Sequence, residues 1–286
     1  MNKAKLWTKD FIIVSSINFF LALVFYLLIV IIGVYAVEVY DASASEAGLI
    51  IGIFVIGTLF GRLFIGRSID SIGRKKTMFI GLILYIATTS LYFVPGGIYF
   101  LLLTRLLHGV ALGIASTAIG TIAAQIIPDE RKGEGIGYFS MSTTLATAIG
   151  PFIGMYMTQF TGYQTMFALC LFLGFISLIT ALFVHVPALE GLAKTSEIKG
   201  FKFSSFVEPK AVPIAVITLL IGFCYSGVLS FMNFYAIDVN LVHTASFFFL
   251  VYSIAILISR PFTGRLLDRK GANYVMYPAF ILFTAG

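Results

Sequence analysis

A carboxylate set among glycines and arginines occurs twice in this chain, 198 residues apart. The first copy contains Gly66, Arg67, Asp70, Gly73 and Arg74, and the second contains Gly264, Arg265, Asp268 and Gly271. Each copy directly follows a long apolar run. An aspartate in such a place is stabilised by an arginine or by the positive N-terminal end of another helix. The pattern therefore predicts a positively charged partner for the aspartate in each half of a duplicated chain. The alternative is an ordinary basic loop that only sets the orientation in the membrane.

Arg105 and His108 lie one helical turn apart inside another apolar run, with Gly109 directly after them. An arginine in apolar surroundings costs about 3 kcal/mol unless a carboxylate, backbone carbonyls or water contacts it. One interpretation is a fixed charge that tunes a nearby proton carrier or pairs with an anionic group. The other is a side chain that extends to the outer surface. His108 is either a candidate for proton movement or a neutral structural histidine.

Acidic side chains are absent from the middle of every apolar run. Glu38 and Asp238 occupy equivalent positions in two repeated segments, Tyr-Ala-Val-Glu and Tyr-Ala-Ile-Asp, at the ends of two runs. They are therefore candidate carboxylates for proton coupling. Asn18 is a further candidate, and its alternative role is a hydrogen bond between helices.

The composition indicates that most of the chain lies in a membrane. Apolar residues are 59% of the 286 residues, charged residues are 11%, and the mean hydropathy is +1.00. A soluble domain of this length has too few charges to cover so much apolar surface. The net charge of +6 does not indicate a nucleic acid partner, because the basic residues lie in short loops between apolar runs. The two cysteines lack metal-ligand spacing, so we expect neither a metal site nor a cofactor.

Nine apolar runs are predicted to form helices, at 11–34, 46–65, 77–94, 98–124, 136–157, 164–184, 212–235, 245–263 and 274–286. Eight are long enough to cross a membrane, and the ninth has about 13 residues. A cytoplasmic N-terminus places 18 of the 19 lysines and arginines on the inner side, which predicts that orientation. Small residues at four-residue spacing are predicted helix-packing seams: Gly48/Gly52, Gly57/Gly61, Gly109/Gly113 and Ser116/Gly120.

Residues 66–76 resemble the loop between helices 2 and 3 of the major facilitator superfamily, commonly written GxLaDrxGrkr. The glycines, the aspartate and the basic tail match, with Ser68 in place of leucine, whereas the second copy keeps leucine and lacks the basic tail. The resemblance implies that the aspartate closes the inner gate in the outward-open state. By the pseudo-symmetry of the two halves, we expect Asp70 to face an eleventh helix and Asp268 to face residues 133–137 at the start of helix 5.

Two more motifs resemble the same superfamily. Arg105 and Gly109 match the RxxxG motif of helix 4, with histidine where glutamine is frequent. Gly150, Pro151 and Gly154 resemble the GPxxG core of the helix 5 antiporter motif, which is found in proton-driven exporters. The alternative for these three residues is a proline–glycine kink without functional meaning. The chain most resembles the twelve-helix drug:proton antiporter branch.

The predicted fold is that of an all-α membrane protein with the major facilitator fold. Residues 1–185 are predicted to form a six-helix bundle, 186–211 a cytoplasmic linker, and 212–286 an incomplete second bundle with helices 7, 8 and part of 9. Two complete halves would need about 400 residues and twelve helices. We therefore interpret the chain as truncated within helix 9, with three more apolar spans expected after residue 286.

The expected function is export of a small organic molecule or drug in exchange for protons, by alternating access. The expected setting is a bacterial-type cell membrane, with a monomeric multi-pass protein in contact with lipid, substrate and protons. Two alternatives stay open: a proton-coupled nutrient or metabolite symporter of the same fold, and a non-transporting membrane scaffold. The sequence contains no GxxxxGK[ST] or HExxH motif and no converging Ser/His/Asp set, so we expect no enzymatic activity.

Overall fold

The computed structural model describes residues 5–187, 208–224 and 242–285, and the regular structure in these ranges is helical. The chain forms two compact units, one of Met1–Leu192 with Ile256–Gly286 and the other of Ala193–Ala255. The helices are α1 (Lys9–Tyr40), α2 (Ala44–Ile72), α3 (Arg74–Ser90), α4 (Gly97–Ile126), α5 (Lys132–Phe160), α6 (Tyr163–Leu182), α7 (Pro209–Cys224), α8 (Val242–Lys270) and α9 (Asn273–Ala285). Single 3₁₀ turns at Leu91–Phe93 and Asp129–Arg131 precede α4 and α5.

The prediction of an all-α membrane protein is confirmed. In the described ranges, five helices are long and apolar enough to cross a membrane: α1, α2, α3 with its following turn, α4 and α6. The first predicted run, 11–34, corresponds to Lys9–Tyr40, so the helix extends several residues beyond the apolar stretch at its C-terminal end. Of the predicted span at 212–235, the structure describes only residues 212–224. The division into two bundles and a linker stays a prediction.

Helix α1 packs against α2, α4, α5 and α6 in the first unit. Its fully buried side chains recur at three- or four-residue steps, as in Val14, Ile17, Leu21, Val24 and Leu28. That spacing places them on one broad apolar face. Helix α4 likewise packs against α1, α2, α3 and α5, so the interior of this unit forms around both helices.

Helices α2 and α4 approach each other through glycines, as two of the predicted seams require. A Cβ atom on Gly57 would collide with the backbone carbonyl of Leu106, and one on Gly109 would collide with that of Phe54. Only glycine permits main chains to pass this closely. The predicted seams Gly57/Gly61 and Gly109/Gly113 are thus confirmed and belong to one helix pair.

The other two predicted seams are wrong for the part of the chain that is described. A Cβ atom on Gly48, Gly52 or Gly120 would meet no atom within 4 Å. These residues face open space, so four-residue spacing identified the packed face at Gly57/Gly61 and Gly109/Gly113 but not at Gly48/Gly52 or Ser116/Gly120.

Both copies of the repeated motif end in a glycine with left-handed backbone geometry. Gly73 has φ of 97° between α2 and α3, and Gly271 has φ of 85° between α8 and α9. Side chains other than glycine rarely adopt these angles without strain. The glycine in each copy is therefore explained by the turn that it makes.

Candidate functional site

The carboxylate of Asp268 binds the N-terminal end of α5. Its Oδ1 accepts a 2.6 Å hydrogen bond from the backbone N–H of Gly133, and Oδ2 accepts a 2.8 Å bond from Glu134. These N–H groups lie in the first turn of α5, where a helix has free donors and a partial positive charge. The expectation that Asp268 faces the start of helix 5 is confirmed.

Close helix approach makes this contact possible. A Cβ atom on Gly133 would lie 2.7 Å from Asp268 Oδ1 and 2.9 Å from the carbonyl oxygen of Gly264. A Cβ atom on Gly264 would in turn lie 2.8 Å from the carbonyl oxygen of Gly133. Neither site has room for a larger side chain without movement of the backbone, so α5 and α8 meet at a pair of glycines.

Glu134 joins two arginines beside this glycine pair. Its Oε1 lies 2.9 Å from Arg265 Nε on α8, and its Oε2 lies 2.8 Å from Arg131 Nε. The hydrogen bond from Arg131, reinforced by Arg265, lowers the pKa of Glu134 below its ordinary value. Asp268 and Arg265 of α8 contact Gly133 and Glu134 in the first turn of α5, and Arg131 pairs with Glu134 beside them. We call these contacts the inner latch, a name that follows the predicted orientation of the chain.

The inner latch lines a cavity of about 400 Å³. Its walls are formed by Glu130, Arg131, Glu134, Arg265, Asp268 and Arg269. Polar groups of both signs surround the space, and the side chain of Asp268 is exposed. Water can therefore solvate these groups once the contact opens.

The first copy of the motif makes different contacts. Asp70 Oδ1 accepts a 2.9 Å bond from Arg74 Nε, one turn further along the chain, and the Asp70 side chain is 49% exposed. Arg74 Nη1 also donates to Gln125 Oε1 of α4 at 2.9 Å. Arg67 is partly buried on α2, and a Cβ atom on Gly66 would meet open space. Similar sequences in the two copies therefore form an interhelical latch at one site and a local ion pair at the other.

Arg105 is fully buried and does not extend to the outer surface. Its Nε donates to the carbonyl oxygen of Ile50 at 3.2 Å, and Nη1 donates to Tyr92 Oη at 3.2 Å. The guanidinium carbon lies 4.3 Å from the centre of the Phe54 ring, a favourable cation–π distance. Nη2 has no hydrogen-bond acceptor among the described residues. The fixed-charge interpretation therefore fits this geometry, with one edge of the guanidinium left open.

His108 lies beside Arg105 and is also fully buried. Its Nδ1 is 3.0 Å from Tyr92 Oη, and its Nε2 is 3.2 Å from Thr89 Oγ1. Tyr92 thus contacts both candidate residues. Sequence reasoning missed Tyr92 because it lies in the 3₁₀ turn after α3, outside the motif on α4.

The helix 5 motif packs against α1. A Cβ atom on Gly150 would lie 2.8 Å from Tyr26 Cβ, and one on Gly154 would lie 3.1 Å from the carbonyl oxygen of Leu27. Pro151 lies between them inside α5. The two glycines therefore set the distance between α1 and α5.

Asn18 joins the same two helices nearer their N-terminal ends. Its Nδ2 donates to Ser142 Oγ at 2.7 Å and to Thr143 Oγ1 at 2.9 Å. Both amide hydrogens are used in these bonds, so the alternative of a hydrogen bond between helices is confirmed.

Glu38 lies near the C-terminal end of α1, beside a second cavity. Its Oε2 accepts a 2.6 Å hydrogen bond from Tyr163 Oη. The cavity has a volume of about 350 Å³ and is lined by Val30, Ile31, Val34, Glu38, Thr161, Tyr163 and Met166. Asp238, the equivalent residue of the second half, lies outside the described residues.

A groove that several polar side chains line runs along α2 and α4 towards their C-terminal ends. It has a volume of about 480 Å³ and is lined by Arg62, Ser116, Thr117, Gly120, Thr121 and Ala124. Gly120, predicted as a packing residue, instead helps to keep this groove open.

Residues 14–286 match the family model described as Major Facilitator Superfamily. An uncharacterized MFS-type transporter of Methanocaldococcus jannaschii is 26% identical over 271 residues, which cover 88% of this chain and 67% of that protein. The multi-drug resistance efflux pump PmrA of Streptococcus pneumoniae is 37% identical over 127 residues, covering 44% of this chain and 31% of PmrA. The quinolone resistance protein NorA of Staphylococcus aureus is 25% identical over 208 residues, covering 68% of this chain and 50% of NorA.

A solved structure gives independent support for the fold. A crystal structure of a mutant peptide transporter POT with sulfate has a TM-score of 0.58 and 18% identity, covering 78% of this chain and 46% of the transporter. At that identity the similarity concerns the fold alone. The chain spans 67% or less of the length of each of these four proteins.

Proposed function

Since the chain belongs to the major facilitator superfamily, we propose that it acts in a secondary active transporter that exports a small organic molecule in exchange for protons. Transport would proceed by alternating access, with the substrate bound between the two halves near the middle of the membrane. The names of PmrA and NorA, an efflux pump and a drug-resistance protein, favour export of a drug-like compound.

The observation that carries this proposal is the pair of contacts made by α5. The first turn of α5 is held to α8 by Asp268, through two hydrogen bonds of 2.6 and 2.8 Å. The Gly150 and Gly154 region of the same helix packs directly on α1. Helix α5 thus carries both a contact that water can break and the motif that resembles those of proton-driven exporters.

Two groups are proposed to serve proton coupling. Glu38 is a carboxylate beside an outer cavity, where a proton from the outer side can reach it. Arg105 supplies a permanent buried charge whose Nη2 has no acceptor among the described residues, which favours an anionic partner in the transport cycle. Asp238 is the proposed counterpart of Glu38 in the second half.

The proposed setting follows from the charge distribution. The N-terminus and the inner latch would lie in the cytoplasm of a bacterial-type cell, with the protein as a monomer in the cell membrane. Residues 1–185 and 212–286 would belong to the two bundles, joined by the cytoplasmic linker 186–211.

Transport into inverted membrane vesicles tests the proposal. Inverted vesicles that contain the full-length protein should accumulate at least one compound from a panel of cationic, neutral and anionic drugs when the vesicle interior is acidified. A protonophore should abolish this accumulation. Glu38→Gln should reduce the gradient-driven part, whereas Asp41→Asn, an exposed carboxylate change on the same side, should not. Gradient-dependent uptake into whole cells, unaffected by Arg105→Ala, would instead establish the symporter alternative. Absence of any transport would favour the scaffold.

A further inference from the structure

The hydrogen bonds around His108 define which of its nitrogens carries a proton. Arg105 has only donors, so its Nη1 must donate to Tyr92 Oη. The hydroxyl hydrogen of Tyr92 is then directed to its other neighbour, His108 Nδ1, at 3.0 Å. Nδ1 is therefore an acceptor and carries no proton.

The opposite side of the ring leads to the same assignment. Thr89 Oγ1 donates to the carbonyl oxygen of Tyr85 at 2.7 Å, so its oxygen is free to accept a bond from His108 Nε2 at 3.2 Å. One continuous chain results, from the Arg105 guanidinium through Tyr92, His108 and Thr89 to a backbone carbonyl. The Tyr92 hydroxyl, His108 Nε2–H and the Thr89 hydroxyl then each have an acceptor, as buried polar groups require.

Protonation of His108 would disrupt this arrangement. A proton on Nδ1 would have to point at Tyr92 Oη, which already accepts from Arg105, and the tyrosine hydrogen would lose its acceptor. A second cation would also be placed beside the Arg105 guanidinium without an added anion. The titratable groups around the ring, Tyr85, Tyr92 and Arg105 with Cys170 close to the two tyrosines, include no carboxylate.

We propose that His108 is a positioning residue for Arg105 that stays neutral with its proton on Nε2, and that it does not carry the coupling proton. Its role is to fix the Tyr92 hydroxyl, which holds Arg105 Nη1 while Nη2 remains open. The functional part of this inference rests on the proposed proton exchange. The protonation state is independent of it.

Replacement by glutamine separates positioning from proton transfer. The two polar atoms of a glutamine amide stand about as far apart as the ring nitrogens, so His108→Gln can accept from Tyr92 and donate to Thr89 but cannot titrate. We expect His108→Gln to keep proton-driven export and its pH profile close to those of the unchanged protein. His108→Ala and Tyr92→Phe should each lower export about tenfold, because a buried hydrogen bond to a charged group contributes about 1.5 kcal/mol or more.

Two comparisons exclude a general loss of folding. Ser177→Ala removes another fully buried hydroxyl, which bonds only within its own helix, and should leave export unchanged. In an Arg105→Ala background, His108→Ala should cause no further loss, because it acts through the arginine. Loss of proton coupling in His108→Gln with normal substrate binding would overturn the proposal, as would additive effects of the two alanine changes.

Spectroscopy tests the neutral state without any transport. The chain contains three histidines, so ¹⁵N-labelled histidine spectra can be assigned to His108 by difference from His108→Gln. The expected result is a neutral ring with Nε2–H throughout roughly pH 5–8, the range in which free histidine titrates. An imidazolium signal appearing in that range would refute the proposal even if no substrate is found. Failure of the transport assay with the neutral signal intact would count against the proposed exchange alone.

Discussion

Asp268→Asn is predicted to release the inner latch without unfolding the protein. The substitution keeps the size of the side chain and removes its charge. Of the two oxygens that now accept from Gly133 and Glu134, one becomes an amide group that cannot accept. The first turn of α5 then has one N–H group without its partner, and the attraction to the helix dipole is lost.

The structure permits an estimate of the effect. A hydrogen bond to a charged group contributes about 1.5–3 kcal/mol, and the lower part of that range applies because Asp268 is exposed. With the dipole contribution, the closed contact should lose about 1.5–2.5 kcal/mol relative to the open one, or roughly a 10- to 70-fold shift of the equilibrium.

Pulsed electron–electron double resonance between spin labels at positions 130 and 270 would measure this shift. Both side chains are exposed, at the inner ends of the segments that the latch joins. Asp268→Asn should convert a mainly short distance distribution into a mainly long one. Asp129→Asn, at a side chain that is 97% exposed beside the same helix, is the matched control and should retain the short distance. Equal distributions in the two variants would refute the assignment of Asp268 as the anion that holds α5.

Three other predictions test separate contacts. Gly57→Ala should destabilise the protein by about 1–3 kcal/mol through collision with α4, whereas Gly52→Ala should be neutral or slightly stabilising. Thermal unfolding in detergent compares the two variants. Equal shifts of the unfolding temperature would contradict the packing seam between α2 and α4. Because the pKa of Glu134 is lowered, its ion pairs stabilise the closed inner latch fully above the ordinary carboxyl pKa. This stabilisation is lost only as the pH falls through the lowered pKa. The spin-label distance should therefore be constant from pH 8 to about 5, and opening within that range would show that another group controls the latch. Gly150→Ala should slow turnover more than it weakens substrate binding, with Gly120→Ala unaffected; transport kinetics and equilibrium binding measure the two quantities.

The sequence predicted those features that depend on repetition and on polarity along the chain. The partner of Asp268 followed from the equivalence of the two motif copies, and the membrane class followed from composition. The contacts of Arg105 did not follow, because Tyr92 reaches it from a turn that only tertiary packing brings near. Gly57 and Gly52 show the same limit, since both lie in small-residue pairs on α2 and only the position of α4 distinguishes them. The predicted partner of Asp70, an eleventh helix, lies outside this sequence, and the described contact of Asp70 is with Arg74 of its own motif.

The two contacts of α5 differ in what happens when they separate. At its first turn, Asp268, Glu134 and their arginines line a cavity that water can enter, so solvent can replace the bonds that break. At Gly150 and Gly154, backbone atoms of α1 and α5 touch directly, and no solvent interaction would compensate for their loss within a membrane. Separation is therefore far easier at the α8 contact than at the α1 contact. A movement that opens the inner side should carry α1 and α5 together as one body and should break the ionic contact first.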